Sequence, residues 1–541
     1  MPVFICLLLK CLSRLGLLWS LAFSLNAAAQ ITLEAENGTL VGTTVTTAVA
    51  GYSGTGYVTG FINATNSVSW SFSATNSLYN LNIRFRSQYG SKGFNATVDG
   101  FVISGTFPQT NGFGTYAAGL VQLTNGVNSL TIGGGWDYYE IDRADLIPTN
   151  APAPPLPVSA SLVNTQATFA ARMFMADLVA NYGKVTWAGQ DQASEATNVY
   201  NMSARWPVII AGDFMDYSPS RIQYGANPGN LSENMIALDN SGFAITMQWH
   251  WNAPTNLLNT TNEPWWSGFY TAATTFDVAA ALANTNSVEY TLLLRDMDAI
   301  AVQLQKFSSN NIPVLFRPLH EAEGGWFWWG AKGPDAFKQL WRLLYNRLTQ
   351  YHGLNNLIWV LASQDANWYP GDDVVDIIGV DAYPTDRSDP LSATWQALKS
   401  RFDGKKLIAL TEFGGVPDVP KMQQFGVWFA YFAPWTGSDG PTGMPTNTVV
   451  RIYQSTNVLT LDEFSATPSV IMAVSRTNNF MQLAVKGTRG AMHRLLASTN
   501  VSLPVDAWTP IATNQFSGGT YIFTDNKTTN FPVRYYRVVK P

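Results

Sequence analysis

Between residues 161 and 464, eight apolar, strand-like runs alternate with helical patterns. The runs are GKVTWAG, PVIIAGDF, FAITMQWH, IPVLFRPLH, LIWVLAS, VDIIGVDAY, KLIALTE and WFAYFAPW. Several are continuously apolar, as strands are when both faces of their sheet are covered. Between them lie segments such as EYTLLLRDMDAIAVQLQKF (289–307) and DAFKQLWRLLYNRLTQ (335–350). In the second, Phe337, Leu340, Trp341, Leu344 and Leu348 recur at helical spacing. Eight such repeats over about 300 residues predict a (β/α)8 TIM barrel rather than a doubly wound sheet.

The flanks read differently. From residue 30 to 148 short runs (SVSWSFSA, YNLNIRFRS, NATVDGFVIS, NSLTIGG) are separated by Asn/Gly turns, which predicts a β-sandwich. Residues 149–160, TNAPAPPLPVSA, predict a semi-rigid Pro-rich linker. Residues 466–541 return to β patterns (SVIMAVS, FMQLAVKG, HRLLAST, TYIFTD, VRYYRVV) and predict a small C-terminal all-β domain whose role the residues do not specify. The expected fold is thus multidomain, with a central barrel between an N-terminal sandwich and a C-terminal all-β domain.

Charged residues are only 13% of the chain, about half the usual ~25%. A net charge of −5 argues against a nucleic-acid partner, and no polybasic stretch suggests a membrane patch. Residues 1–29 predict a signal peptide: Lys10 and Arg14 precede GLLWSLAFSL, and Ala27-Ala28-Ala29 offers a cleavage site. That apolar core is about half the ~20 residues a membrane span requires, so no span is expected in the mature protein. Both cysteines, Cys6 and Cys11, lie in this segment, which leaves no thiolate nucleophile or cysteine metal site after cleavage. The expected location is extracellular, with the periplasm or cell surface as alternatives. Oligomeric state is left open.

In a parallel barrel, reactive groups belong at the C-terminal ends of the strands. Glu321 ends the fourth run and Glu412 the seventh, with Asp213, Glu323 and Asp381 as rivals. Two carboxyl groups over one barrel mouth suit glycosidic cleavage, one giving a proton to the leaving oxygen while the other attacks or activates water. The aromatic run Trp326–Trp329 supplies flat faces for sugar rings and lowers local polarity. Taken singly, Glu321 reads equally as a buried glutamate held by Arg317, Glu412 as an ion-pair residue, and the rings as core. His320-Glu321 begins a zinc-protease pattern, but position 324 is Gly and the chain has only four histidines. No G-x-S-x-G elbow or phosphate-cradling glycine loop follows a strand.

RPLHEAEGGWFWWG, YPGDDVVDIIGVDAY and ALTEFGG, with QWHWNAP and VIIAGDFMDY, resemble glycoside hydrolase family 26, typically endo-β-1,4-mannanases. The resemblance implies a retaining mechanism without a catalytic cofactor, Glu321 as acid/base and Glu412 as nucleophile. It implies Tyr383 as the nucleophile's hydrogen-bond partner. His250, His320, Trp326 and Trp435 would bind substrate, while Asp373 and Asp376 stay structural. A β-mannan is the implied substrate, with mixed-linkage β-glucan, β-xylan or an inactive carbohydrate-binding protein as alternatives.

ITLEAENGTL, GYSGTGYVTGF and GGGWDYYEIDRADL resemble carbohydrate-binding module family 35. That implies structural calcium held by Glu34, Glu36 and Asp142, and a sugar-stacking role for Trp136. Arg143 and Ala144 depart from the residues expected after the calcium aspartate.

Overall fold

The computed structural model describes residues 29–134, 138–465, 469–477 and 480–541. The predicted signal peptide, both cysteines and Trp136 fall outside the described residues, apart from Ala29.

The eight apolar runs become parallel strands β1 (Thr186–Asp191), β2 (Ile209–Asp213), β3 (Ala244–Trp249), β4 (Val314–Pro318), β5 (Leu357–Ala362), β6 (Ile377–Ala382), β7 (Leu407–Phe413) and β8 (Tyr431–Pro434). They pair in chain order, and β8 returns to β1 with Trp187 opposite Tyr431, so the sheet closes. Every residue of β1, β3, β4, β5 and β7 is buried, which is why these runs lack polar alternation. The helices cover the outside. Val288–Ser309 starts at Ser287, whose side chain accepts from the Tyr290 amide, and turns Leu293, Met297, Ile300, Leu304 and Phe307 inward. Gly333–Tyr345 buries Phe337, Leu340, Trp341 and Leu344, and a π-helical turn (Asn346–Tyr351) keeps Leu348 buried beyond its end.

Two local departures shape the barrel mouth. β4 stops at Pro318, short of the whole run IPVLFRPLH, because Leu319 and Glu321 take φ of 53° and 54° and turn the chain. Non-glycine residues rarely hold that conformation, and such strain concentrates at functional sites. Between β6 and β7 the register shifts after Val380, which sets Asp381 opposite Glu412.

The N-terminal sandwich packs a six-stranded sheet on a five-stranded one around Leu81, Ile83, Phe85, Phe94, Leu130 and Ile132. NATVDGFVIS is a hairpin rather than one run: Asp99 and Gly100, both at positive φ, divide Lys92–Val98 from Phe101–Phe107. The sandwich is docked on the barrel. Leu120 donates its amide to Ser392 Oγ (2.7 Å), Ser104 Oγ bonds Thr385 Oγ1 (2.9 Å), and Lys421 Nζ lies 3.9 Å from the Phe101 ring centre. The linker is pinned too: Leu156 N donates to Asp403 Oδ1 (2.8 Å) and Lys399 Nζ to the Ala153 carbonyl (2.6 Å). It is therefore less a spacer than a strap along the barrel.

The C-terminal domain is two three-stranded sheets around Leu483, Val485, Leu495, Phe516 and Phe523, including a strand at Thr509–Gln515 that its polar sequence concealed. It covers the barrel end opposite the mouth. Arg489 pairs with Asp239, just before β3, and Asn311, just before β4, bonds Thr520. Among the described residues, no helix is long and apolar enough to cross a membrane.

Candidate active site

Arg317, on β4, organises the floor of the mouth. The residue is 3% exposed, and its guanidinium donates Nη1 to Asp381 Oδ2 (2.5 Å), Nη2 to Glu412 Oε2 (2.7 Å), and Nη2 also to Gln248. Arg317 thus clamps Glu412 and Asp381, not Glu321. Asp381 also accepts from Thr411 Oγ1 (2.6 Å). Burial and then Glu412 and Glu321 push its carboxyl upward, against the pull of Arg317. Glu412, near the C-terminal end of β7, offers its other oxygen, Oε1, to the Tyr383 hydroxyl at 2.5 Å. Gly414 permits this approach: a Cβ there would lie 2.6 Å from the Tyr383 ring. A small enclosed cavity beneath Glu412 is lined by Asp191, Gln248, Arg317, Thr411 and Trp435.

Glu321 leaves the β4–helix turn with its amide bonded to the Ala362 carbonyl (3.2 Å). Its side chain lines an open cleft of about 380 Å³ with Trp326, Ser363, Asp381 and Tyr383. Trp326 Nε1 donates to Glu321 Oε2 (3.0 Å). Burial, then the nearby Glu412 charge, raise the Glu321 pKa; Arg317 and the Trp326 bond oppose the rise. Tyr383 joins the two carboxyl groups spatially, since it touches Glu412 and lines the cleft that holds Glu321.

The four-ring run divides by position. Trp328 and Trp329 are fully buried, with indole N–H groups on the carbonyls of Trp251 (2.5 Å) and His320 (2.9 Å), and Phe327 is 4% exposed. Trp326 alone is open, at 50%, so most of the expected wall is the buttress of the turn. Gly324 makes room for it, because a Cβ would fall within 2.0 Å of its ring. Glu323 also lines the cleft but is tied to the end of β5, accepting from Ser363 Oγ and from the Gln364 amide (2.9 Å).

Asp213, at the end of β2, accepts from the His250 amide (3.0 Å) and from His250 Nδ1 (2.5 Å). His250 Nε2 lies 3.1 Å from His320 Nε2. Trp435 stands 6.4 Å from the His250 ring and on the cavity under Glu412. Asp373 pairs with Arg342, and buried Asp376 accepts the Val163 and Trp359 amides, both away from the cleft.

Gln248 and Asp191 carry no signal in the sequence because apolar strand runs hide inward-facing polar side chains, and Arg317 is legible there only as a partner for Glu321, which it does not hold. Also overlooked were Trp265, Trp266 and Tyr270, in the long segment after β3. Trp265 stacks with Tyr224 at 6.0 Å, while Trp266 and Tyr270 are exposed and Tyr270 stacks on Phe327. The signal was the pair WW in NEPWWSGFY.

In the sandwich, Ile31–Glu34 pairs with Glu140–Thr149, and Glu34, Glu36 and Asp142 converge on the loop Ser53–Thr55. Ser53 Oγ donates to Glu34 Oε2 (2.8 Å), Ser53 N to Asp142 Oδ1 (2.9 Å) and Thr55 N to Glu36 Oε1 (2.6 Å), while Arg84 pairs with Asp142. Among the described residues, no group of three or more His, Cys, Asp or Glu side chains is spaced to hold a metal ion. Glu36 Oε2 is nevertheless buried without a partner.

Comparison with known proteins agrees with this architecture. Residues 163–463 match the model of glycosyl hydrolase family 26, and residues 31–149 that of carbohydrate binding module family 35. A mannan endo-1,4-beta-mannosidase of Thermothelomyces thermophilus is 43% identical over 436 residues, 80% of this chain and 90% of that protein. Mannan endo-1,4-beta-mannosidase A of Piromyces sp is 33% identical over 446 residues, covering 79% and 71%. The crystal structure of a Podospora anserina GH26-CBM35 beta-(1,4)-mannanase superposes with a TM-score of 0.59 at 42% identity, over 81% of this chain and 99% of that one. The chain belongs to glycosyl hydrolase family 26 and carries a family 35 carbohydrate-binding module ahead of its barrel.

Proposed function

We propose that the chain is a retaining endo-β-1,4-mannanase in which Glu412 is the nucleophile and Glu321 the acid/base. The observation that carries this is the contrast between the two carboxyl groups. Glu412 is held in place on both oxygens, by a cation on one and a phenol on the other. Glu321 is largely buried, and its own contact is one indole N–H, so it keeps a proton more readily. Glu412 attacks the anomeric carbon while Glu321 protonates the departing glycosidic oxygen, which leaves a glycosyl ester on Glu412. Glu321, now ionised, takes a proton from water, whose oxygen displaces Glu412 and releases the sugar with its original anomeric configuration. This double displacement requires the carboxyl groups about 5–5.5 Å apart.

Trp326, Trp435 and His250 bind the sugars on either side of the bond, while His320, expected to bind substrate as well, is buried and supports His250 from behind. The names of the relatives support mannan as the polymer, and the module supports a carbohydrate tether, with Trp136 as its stacking residue. The all-oxygen chemistry of Glu34, Glu36 and Asp142 and the unpartnered Glu36 Oε2 suit calcium, although the three carboxylates as placed are not spaced to hold an ion. When bound, it would tie the paired first and last strands of the sandwich together. The export pattern of residues 1–29 and a substrate too large to enter a cell support an extracellular address.

The test is digestion of mannan, lichenan and xylan by wild type and Glu412→Ala, with product sizing and NMR of the first anomer. Mannan oligosaccharides of mixed length with retained configuration, absent in the variant, support the proposal. Preferential cleavage of lichenan or xylan reassigns the substrate, release of disaccharide alone reassigns the mode, and initial inversion removes Glu412 from its role.

A further inference from the structure

Three polar side chains from separate strands form a line beside the acid/base turn. Asp213 at the end of β2, His250 just after β3 and His320 just after β4 are joined by bonds of 2.5 and 3.1 Å. His250 and His320 are buried and Asp213 is half-buried, and Phe269, Phe327 and Trp435 surround the His250 ring. The geometry points to Asp213 as a positioning residue that dictates, through His250, which nitrogen of His320 carries the proton.

The argument is a count of protons. Asp213 fixes its carboxylate with two backbone amides, those of His250 (3.0 Å) and Met215 (2.8 Å). As an ionised carboxylate it only accepts, so His250 Nδ1 must donate to it. One hydrogen then lies between the two Nε2 atoms. When His250 is an imidazolium, its Nε2–H donates, His320 Nε2 accepts, and neutral His320 must carry its proton on Nδ1. When His250 is neutral, His320 Nε2–H donates instead and His320 Nδ1 is bare. Nδ1 of His320 is buried without a partner, so its state is decided by the chain and not by a local bond.

The surrounding charges favour the first arrangement. Burial alone would lower the pKa of His250, but the Asp213 charge and hydrogen bond outweigh it, with Glu412 helping and Arg317 opposing. Asp191 and Glu321 also lie within electrostatic reach of the ring. His320 is held neutral by burial, then by the charges of Arg317 and His250. The arrangement therefore keeps a positive charge on His250, within electrostatic reach of Glu321, without a second charged histidine beside it, and that charge favours the ionised form of Glu321.

The experiment is ¹⁵N NMR of the imidazole rings in the full-length protein across pH 4 to 9. With four histidines in the chain, His→Gln variants of His352 and His493 assign the spectrum. In wild type, His250 is expected to be doubly protonated at neutral pH and His320 protonated at Nδ1. As pH rises, both rings change in one step. In Asp213→Asn that step moves to lower pH while His352 and His493 stay unmoved. A His320 protonated at Nε2 at neutral pH, independent titration of the two rings, or an unshifted step in the variant each overturns the proposal. If Asp213→Asn does not fold, the wild-type titration alone still decides it. The inference concerns the site assigned above but reads protons rather than turnover, so it can fail while the mannanase reading stands, and the reverse.

Discussion

The Tyr383 hydroxyl donates to Oε1 of Glu412 across 2.5 Å, on the oxygen that Arg317 leaves free. A hydrogen bond to a charged group is worth about 1.5–3 kcal/mol, so Tyr383→Phe should lower kcat by roughly 10- to 100-fold with little change in KM. Gly414→Ala should reproduce much of this loss, since the new Cβ collides with the Tyr383 ring. Steady-state kinetics on soluble mannan check both. An unaltered kcat in Tyr383→Phe would show that the bond does no catalytic work.

Trp326 donates an N–H to Glu321, which favours the carboxylate. A general acid must be protonated before the first step, so activity is lost as pH rises through its pKa. Trp326→Phe removes the donor and should move the alkaline limb of kcat/KM to higher pH, with weaker substrate binding as well. A pH–rate series decides whether the limb moves.

Removing the guanidinium of Arg317 leaves two buried carboxylates without their cation. Loss of one partner of a buried pair costs about 3–5 kcal/mol. Arg317→Met should therefore lower the Tm and abolish turnover together, whereas Tyr383→Phe should spare the Tm. Calorimetry beside an activity assay separates the two effects.

Asp191 is buried in the cavity under Glu412, and burial followed by the charges of Glu412 and Asp213 push its pKa up to about 7. A folded-state pKa above the unfolded value means the native protein binds the proton more tightly. Its contribution to stability is therefore present at low pH and is lost as pH rises from about 4 to 7. Asn mimics the protonated acid, so Asp191→Asn should gain stability relative to wild type across that window. A Tm difference that is flat with pH would contradict this.

Chelation should act on the sandwich alone. If the proposed calcium ties Glu34, Glu36 and Asp142, EDTA should lower the melting temperature of the sandwich and leave barrel activity on soluble oligosaccharide intact. Asp142→Ala should remove the sensitivity to EDTA. Identical melting curves with and without chelator would remove the ion from the account.

The barrel was legible because two-sided burial leaves a direct trace, a strand with no polar alternation. Glu412 was legible for the same reason, as a carboxylate interrupting such a strand near its C-terminal end. Glu321 was found by its neighbours, although the left-handed Leu319 and Glu321 that aim it carry no glycine to announce them. The partner of Arg317 was not legible, since which carboxylate a buried arginine reaches depends on the register shift between β6 and β7. Nor was the docking of linker and flanking domains, which rests on contacts between residues hundreds of positions apart.

The pairing of Arg489 with Asp239 has a consequence for how the enzyme can be divided. Asp239 is fully enclosed, and besides the guanidinium it takes the Gly518 amide at 2.8 Å, so both of its anchors come from the last domain. A fragment trimmed at the end of the hydrolase homology would deprive this carboxylate of both partners and expose the surface that the last domain packs against. The homology boundary at 463 thus does not coincide with a mechanical one, and trimming there should lower the melting temperature of the barrel.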